Sequence, residues 1–293
     1  MITVTADDLG FSESRNRAIY EAAAFGTVSA ASLMVNMPTA EDACSRLSTE
    51  PSGNLRIGLH FTLTSGRSVA ESGQVPLLVD SNGMFCNGFV KLWQNAHRPQ
   101  WQEQIAIEYA AQLRRFDDWT KQYTLNVGHL DSHQHVHAVQ GIWHLLEQTA
   151  LQRNWQLRYP HEPYFVRNLP ILRTLSPVGD VKKIILDICL RNTVTAFSAK
   201  SFYFGVLDSG KMDSRAWSRI FRIAERFPDH SCEVNVHPGC LSGDEALAES
   251  LCCSADDRKF HRSPWRRREL DILLDPKFHS TLYHILETPV WYK

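Results

Sequence analysis

Short apolar runs alternate with amphipathic helical stretches along most of this chain, and that alternation leaves few architectures open. Residues 2–6 read as a strand, 13–25 as a helix stopped by Gly26, 28–35 as a strand, 40–47 as a helix and 55–63 as a strand. Helical spacing returns at 101–123, 141–153, 214–227 and 266–274, and strand patterns at 125–136, 201–205 and 232–237. A β-α-β-α order predicts parallel strands joined by right-handed crossovers, and about six or seven such strands can close into a barrel. Between them, 65–99 is rich in Gly, Pro and Asn and shows little regular pattern. Long loops inside compact domains usually carry function, so an excursion at about 65–100 is expected to serve as a substrate lid. With no internal repeat, low-complexity tract or linker, 1–293 is expected to be a single domain.

Lys plus Arg number 31 against 32 for Asp plus Glu, so no overall field draws the chain to nucleic acid or to anionic lipid. A neutral or weakly charged small-molecule substrate is the expectation. The opening Ile2-Thr3-Val4-Thr5 lacks a signal peptide's charged and apolar regions, and no apolar run approaches the roughly 20 residues that span a bilayer. Seven cysteines without regular spacing argue against a disulfide framework and fit a reducing, cytoplasmic setting.

Chemistry-bearing residues gather where the strand patterns end. Asp7-Asp8 closes the first strand, and Gly10 permits a tight turn before the next helix. Adjacent carboxylates repel, which a cation or a proton relieves, although a helix cap beside a solvated neighbour has the same look. His60 ends the apolar run 55–59; by itself it reads more readily as a hydrogen-bonded structural residue than as a ligand. In His129-Leu130-Asp131-Ser132-His133-Gln134-His135-Val136-His137, a strand period of two would put Asp131, His133, His135 and His137 on one face. Residues two apart in a strand are about 6.6 Å apart, so metal bonds of about 2.1 Å let one or two of these imidazoles share an ion. The others would orient ligands, bind substrate or move protons. Glu233-Val234-Asn235-Val236-His237-Pro238 is an alternating strand ending on a histidine held extended by the proline. Asp7, Asp8, His60, His133 and His237 thus fall at carboxyl ends of strands, the face on which parallel α/β barrels build active sites. Core packing is the expected role of Trp93, Trp101 and Phe204, with stacking on sugar faces as the alternative.

At these residues the sequence resembles the YdjC-like carbohydrate deacetylases, a family that includes chitooligosaccharide deacetylase. The stretches that carry the resemblance are 4–12, 31–36, 58–63, 129–137 and 236–239, with a weaker echo at 268–273. Leu9 stands where many relatives have Phe, and 158–191 matches least well. The resemblance implies an α/β fold, a distorted (β/α) barrel of the TIM-barrel-like type, with one divalent metal ion, magnesium first and zinc next. It places the metal on Asp8, His60 and His133, the general base on Asp7, and an acid or transition-state stabiliser on His237. Asp131, His135 and His137 are left as substrate-binding residues or supports of the ligands. The implied reaction is metal-dependent hydrolytic N-deacetylation of an N-acetylated sugar, chitooligosaccharide-like, releasing acetate. Another metal-dependent hydrolase, such as a phosphoesterase using Arg67 or Lys91, and a non-catalytic sugar- or metal-binding protein are the alternatives. A homodimer is compatible with all of them.

Overall fold

The computed structural model describes residues 2–49, 55–162, 177–191, 201–239 and 244–287. Seven strands, β1 (Ile2–Leu9), β2 (Ala30–Leu33), β3 (Arg56–Phe61), β4 (Val127–Ser132), β5 (Gln156–Leu157), β6 (Ser201–Phe204) and β7 (Ser231–Val236), form one sheet. Its order is β5-β4-β3-β2-β1-β7-β6, and every pairing is parallel. The sheet is a curled half-barrel, with β5 and β6 as its two edges among the described residues. β1 and β2 are buried almost throughout, as strands covered on both faces must be.

Eleven helices occur among the described residues: α1 (Glu13–Ala24), α2 (Ala40–Thr49), α3 (Phe89–Asn95), α4 (Pro99–Gln122), α5 (Gln140–Arg153), α6 (Pro177–Leu190), α7 (Ser214–Arg226), α8 (Asp244–Leu251), α9 (Ala255–His261), α10 (Trp265–Leu273) and α11 (Pro276–Glu287). Their ends follow local chemistry. The Ser12 hydroxyl accepts the Arg15 N–H at the start of α1, and Gly26, at φ 89°, follows its last turn. Asp213 caps α7 through the N–H groups of Arg215 and Ala216, and that helix buries Ala216, Trp217, Ile220 and Ile223 along one stripe. None of the helices is long and apolar enough to cross a membrane.

Two expectations change. The strand expected at 125–136 stops at Ser132, and residues 133–138 form a 3-10 turn in which Gln134 and His135 take φ of 55° and 56°. The Ser132 hydroxyl accepts the His137 backbone N–H (2.9 Å) and bonds its ring Nδ1 (2.5 Å), so a side chain closes the turn that replaces the strand. His133, His135 and His137 therefore do not share a strand face. Residues 65–99 are also more ordered than their composition implies. They hold a 3-10 turn, Ser72–Gln74, and α3, and the buried Glu108 of α4 accepts N–H bonds from Val69 and Ala70. Trp101 and Phe204 prove to be buried core residues, whereas Trp93 is 37% exposed. Part of the weakly matching stretch 158–191, residues 163–176, lies outside the described residues.

Candidate functional site

The end of β1 is bent so that its two carboxylates go separate ways. Register against β2 shifts between Ala6 and Leu9, and Asp8 takes φ 66°, a left-handed conformation that costs a non-glycine residue on the order of 1 kcal/mol. Gly10 holds the turn: a Cβ there would sit 2.9 Å from Ala40 and 3.2 Å from the Met34 carbonyl, and its N–H donates to Asn16 Oδ1. Asp8 is fully buried. Arg15 Nη1 donates to its Oδ2 (2.9 Å), while Oδ1 has no hydrogen-bond partner. That oxygen faces His133 Nδ1 at 3.2 Å and His60 Nε2 at 3.7 Å.

Each of these imidazoles has a carboxylate behind its other nitrogen. His60 Nδ1 lies 2.6 Å from Asp131 Oδ1, and His133 Nε2 lies 3.2 Å from Asp257 Oδ1. Asp131 is anchored in turn by the Ser32 hydroxyl (2.7 Å) and by Arg158 Nη2 (2.7 Å). Carboxylate–imidazole pairs of this kind fix the ring and present one nitrogen to a metal. Burial would lift the Asp8 carboxyl, but His133, His261 and Arg15 outweigh it and hold the group well below the usual range. Burial opposes charge on His133 too, yet Asp257 and Asp8 push it up to about 10. The pocket is strongly negative and favours a positive charge at this point.

Asp7 is engaged differently. Arg158 donates to both its oxygens (2.7 and 2.9 Å) and Asn235 Nδ2 donates to Oδ2. Arg158 is buried and also donates to Glu233 Oε1 (2.8 Å). His60 Nε2 and His237 Nε2 stand 3.9 and 4.0 Å from Asp7 Oδ2. His237 receives its orientation through its backbone N–H, which donates to Glu269 Oε2 (2.7 Å), and its ring Nδ1 has no hydrogen-bond partner. Burial first, and then Arg266, hold His237 well below the ordinary imidazole value, so it is neutral at pH 7.

His135 and His137 serve elsewhere. The His137 ring bonds the Ser132 hydroxyl and the Arg158 carbonyl (3.0 Å), which ties the turn to the backbone of Arg158. His135 packs edge-on against Tyr203, its Nε2 3.5 Å from the phenol oxygen.

Among the described residues, three groups of side chains have ligand atoms close enough to hold one ion: Asp8, His60 and His133; His133, Asp257 and His261; and Asp7, His60 and Asp131. The third is already committed, because Arg158 bonds both aspartates and His60 Nδ1 bonds Asp131. The first fits a divalent cation best. It offers one oxygen and two nitrogens, includes the unpartnered Asp8 Oδ1, and lies where four buried aspartates, Asp7, Asp8, Asp131 and Asp257, meet two guanidiniums, Arg15 and Arg158.

Arg15, Arg158, Asn235, Asp257 and His261 were not singled out by sequence. Asn235 and Glu233 alternate with His237 along β7, so a period of two would have placed all three on one face. Asp257 and His261 are four apart on α9, a spacing that solvated helix faces use just as often.

The YdjC-like protein family model matches residues 1–284. A carbohydrate deacetylase of Geobacillus stearothermophilus is 40% identical over 273 residues, covering 93% of this chain and 89% of the relative. A chitooligosaccharide deacetylase of Serratia marcescens is 34% identical over 285 residues, covering 96% and 94%. Among solved structures, a protein of Enterococcus faecalis V583, provisionally described as a cellobiose-phosphate cleavage protein, superposes with TM-score 0.64. It covers 97% of this chain and 94% of its own at 19% identity, a likeness of fold.

Proposed function

Because the chain belongs to the YdjC-like family, we propose that it is a metal-dependent carbohydrate N-deacetylase that hydrolyses the acetamide of an N-acetylated sugar. The observation that carries this reading is the buried, unpartnered Asp8 Oδ1 facing His60 Nε2 and His133 Nδ1, with a second carboxylate, Asp7, held beside them. Asp8, His60 and His133 would hold one divalent cation. When bound it supplies Lewis-acid polarisation of the acetyl carbonyl and a water more acidic than bulk water.

The protein's own groups divide the remaining work. Asp7 takes the proton of the attacking water; its bonds to Arg158 and Asn235 keep it beside the ligand cluster without making it a ligand. Attack forms the new C–O bond, the C–N bond then breaks, and the proton ends on the amine, leaving acetate and a free amino sugar. His237, being neutral, offers one ring N–H to the oxygen that becomes negative during attack, so stabilisation is its better role. It transfers a proton to the leaving nitrogen only after receiving one, and Asp7, its Oδ2 4.0 Å from His237 Nε2, is the source beside it. Two imidazoles and one carboxylate suit zinc and its transition-metal neighbours, while magnesium would keep its remaining positions as water. The family resemblance puts magnesium first, so both ions belong in the test.

We further infer that the chain acts as one domain whose 65–100 excursion covers the bound sugar, since its stem residue Ser65 bonds Asp257 beside the cluster. The exposed Arg67 and Lys91 make none of the contacts to the site carboxylates, whose guanidinium partners are Arg15 and Arg158. A phosphoesterase reading therefore gains no support from them. The deciding experiment is acetate release from diacetylchitobiose by metal-stripped protein given magnesium, zinc or neither, beside Asp8→Ala and His133→Ala. Release that needs added metal and vanishes in both variants supports the proposal. Stoichiometric metal binding with no acetate from any N-acetylated sugar would sink it.

A further inference from the structure

α9 brings a carboxylate to the cluster from a part of the chain remote from the other ligand supports. Asp257 is the third residue of α9, and its N–H donates to the capping Ser254 hydroxyl (3.1 Å), so the helix start fixes where its side chain points. Both Asp257 oxygens are used. Oδ1 lies 3.2 Å from His133 Nε2, and Oδ2 accepts the Ser65 hydroxyl at 2.5 Å. Asp257 is itself buried, so its charge depends on these partners and on His261 Nε2 at 3.4 Å.

A neutral imidazole has one N–H and one lone pair, and the group bonded to one nitrogen decides what the other can do. Once an arriving cation displaces the Nδ1 proton, a proton kept on Nε2 facing Asp257 leaves His133 with a lone pair on Nδ1 beside Asp8 Oδ1, 3.2 Å away. Two lone pairs at that separation repel, and a cation within reach of both removes the repulsion. With the proton on Nδ1 instead, His133 would bond Asp8 and cease to be a ligand. Asp131 makes the same choice for His60, but it belongs to β4, two residues before His133 and its turn. Asp257 is 124 residues from His133 and is joined through Ser65 to the stem of the excursion. That stem is pinned to the α8–α9 connection, where Ser65 bridges Cys252 and the Gly66 N–H donates to the Leu251 carbonyl (2.8 Å).

We propose that Asp257 is a positioning residue for the cation: it accepts a hydrogen bond from the Nε2–H of His133, leaves Nδ1 as the ligand atom, and ties that ligand to the stem of the 65–100 excursion. The proposal rests on the reading that Asp8, His60 and His133 hold one divalent cation. It makes cation affinity depend on Ser65, which touches no ligand.

The test uses the full chain stripped of metal, titrated calorimetrically with zinc, with long-range proton–nitrogen NMR of the histidine rings. The variants are Asp257→Asn, whose amide can offer an N–H to Nε2 and so supports the opposite tautomer, and Ser65→Ala. The wild type should bind one zinc with His133 protonated on Nε2. Asp257→Asn should lose roughly 10- to 100-fold in affinity. Ser65→Ala should show a smaller loss in the same direction, and the His60 ring should keep its tautomer in both, which marks a folded site. Affinity of Asp257→Asn within about twofold of wild type, well short of such a loss, overturns the proposal while leaving the cation centre standing. Two zinc ions in the wild type against one in Asp257→Asn overturn it too, because Asp257 would then be a ligand. A wild type that binds no zinc overturns the centre on which it rests, and acetate release judges the deacetylase reading separately.

Discussion

Asp8 and Glu162 each bury a carboxylate at the carboxyl end of the sheet, Asp8 in the bend that finishes β1 and Glu162 beside the end of β6, and their surroundings differ in kind. Glu162 Oε2 collects the N–H groups of Gly205, Val206 and Leu207 at 3.3, 3.0 and 2.9 Å. Its hydrogen-bonding capacity is spent on holding a loop. Asp8 keeps an oxygen with no hydrogen-bond partner, facing only the ring nitrogens of His133 and His60, on a backbone in a left-handed conformation, while a neighbouring arginine holds the other oxygen. Folded proteins satisfy nearly all buried polar atoms, so a group denied partners inside a strained turn marks a place arranged for something from outside. Burial alone therefore does not identify a functional carboxylate; an unspent lone pair does.

Removing the unspent oxygen is the harshest way to test that contrast. Asp8→Ala should abolish stoichiometric zinc or magnesium binding and reduce acetate release to background; calorimetry and an acetate assay on the same preparation check both, and retained binding would end the distinction drawn for Asp8. Asp7→Asn separates the two adjacent aspartates. Acetate release should fall by about 10²- to 10⁴-fold, as for loss of a general base, with cation affinity nearly unchanged. A parallel loss of affinity would make Asp7 a ligand. Arg158→Lys keeps the charge but gives up the fork that bonds both Asp7 oxygens and Asp131. Misplacing the base by about 1 Å is worth about 10²-fold in turnover, so kcat should drop by that order with substrate KM little altered.

How much of this was legible beforehand follows from which signals are local. Asp7, Asp8, His60 and His237 end apolar runs, and in a parallel sheet the end of a run is the end of a strand, so their convergence could be read from order alone. Six of the seven parallel strands were likewise implied by the alternation; β5, two residues long, was too short to register. That brevity hid Arg158, which directly follows it at the same face. His135 and His137 were misplaced for a different reason: alternation predicts a strand, and nothing in Gln134 or His135 announces the positive φ that a serine-closed turn imposes. Asp257 and His261 become partners of His133 only through a helix whose docking is a tertiary fact.

The smallest expected effect tests the satisfied side of the comparison. Burial, reinforced by Asp208, pushes Glu162 up to about 7 against the pull of its three N–H donors. Its folded value thus lies above its unfolded value of about 4.5, and the fold favours the protonated form. The stability this group contributes is fully present below about pH 4.5 and is lost as pH rises through about 7. Carboxylates held low, Asp8 among them, slope the other way over their own lower range, so the comparison must be made between variants. Glu162→Gln keeps a carbonyl acceptor for the backbone donors and removes the ionisation. Denaturant titrations from pH 4.5 to 8 should show the variant gaining about 2 kcal/mol on the wild type as pH rises. That is less than the full about 1.4 kcal/mol per unit, because relaxation and water entry soften burial costs. A difference that stays constant over this range would mean that Glu162 is ionised in the fold throughout and that three N–H donors outweigh its burial. Satisfied and unsatisfied carboxylates would then both be charged at neutral pH, and the contrast with Asp8 would rest on the unspent oxygen alone.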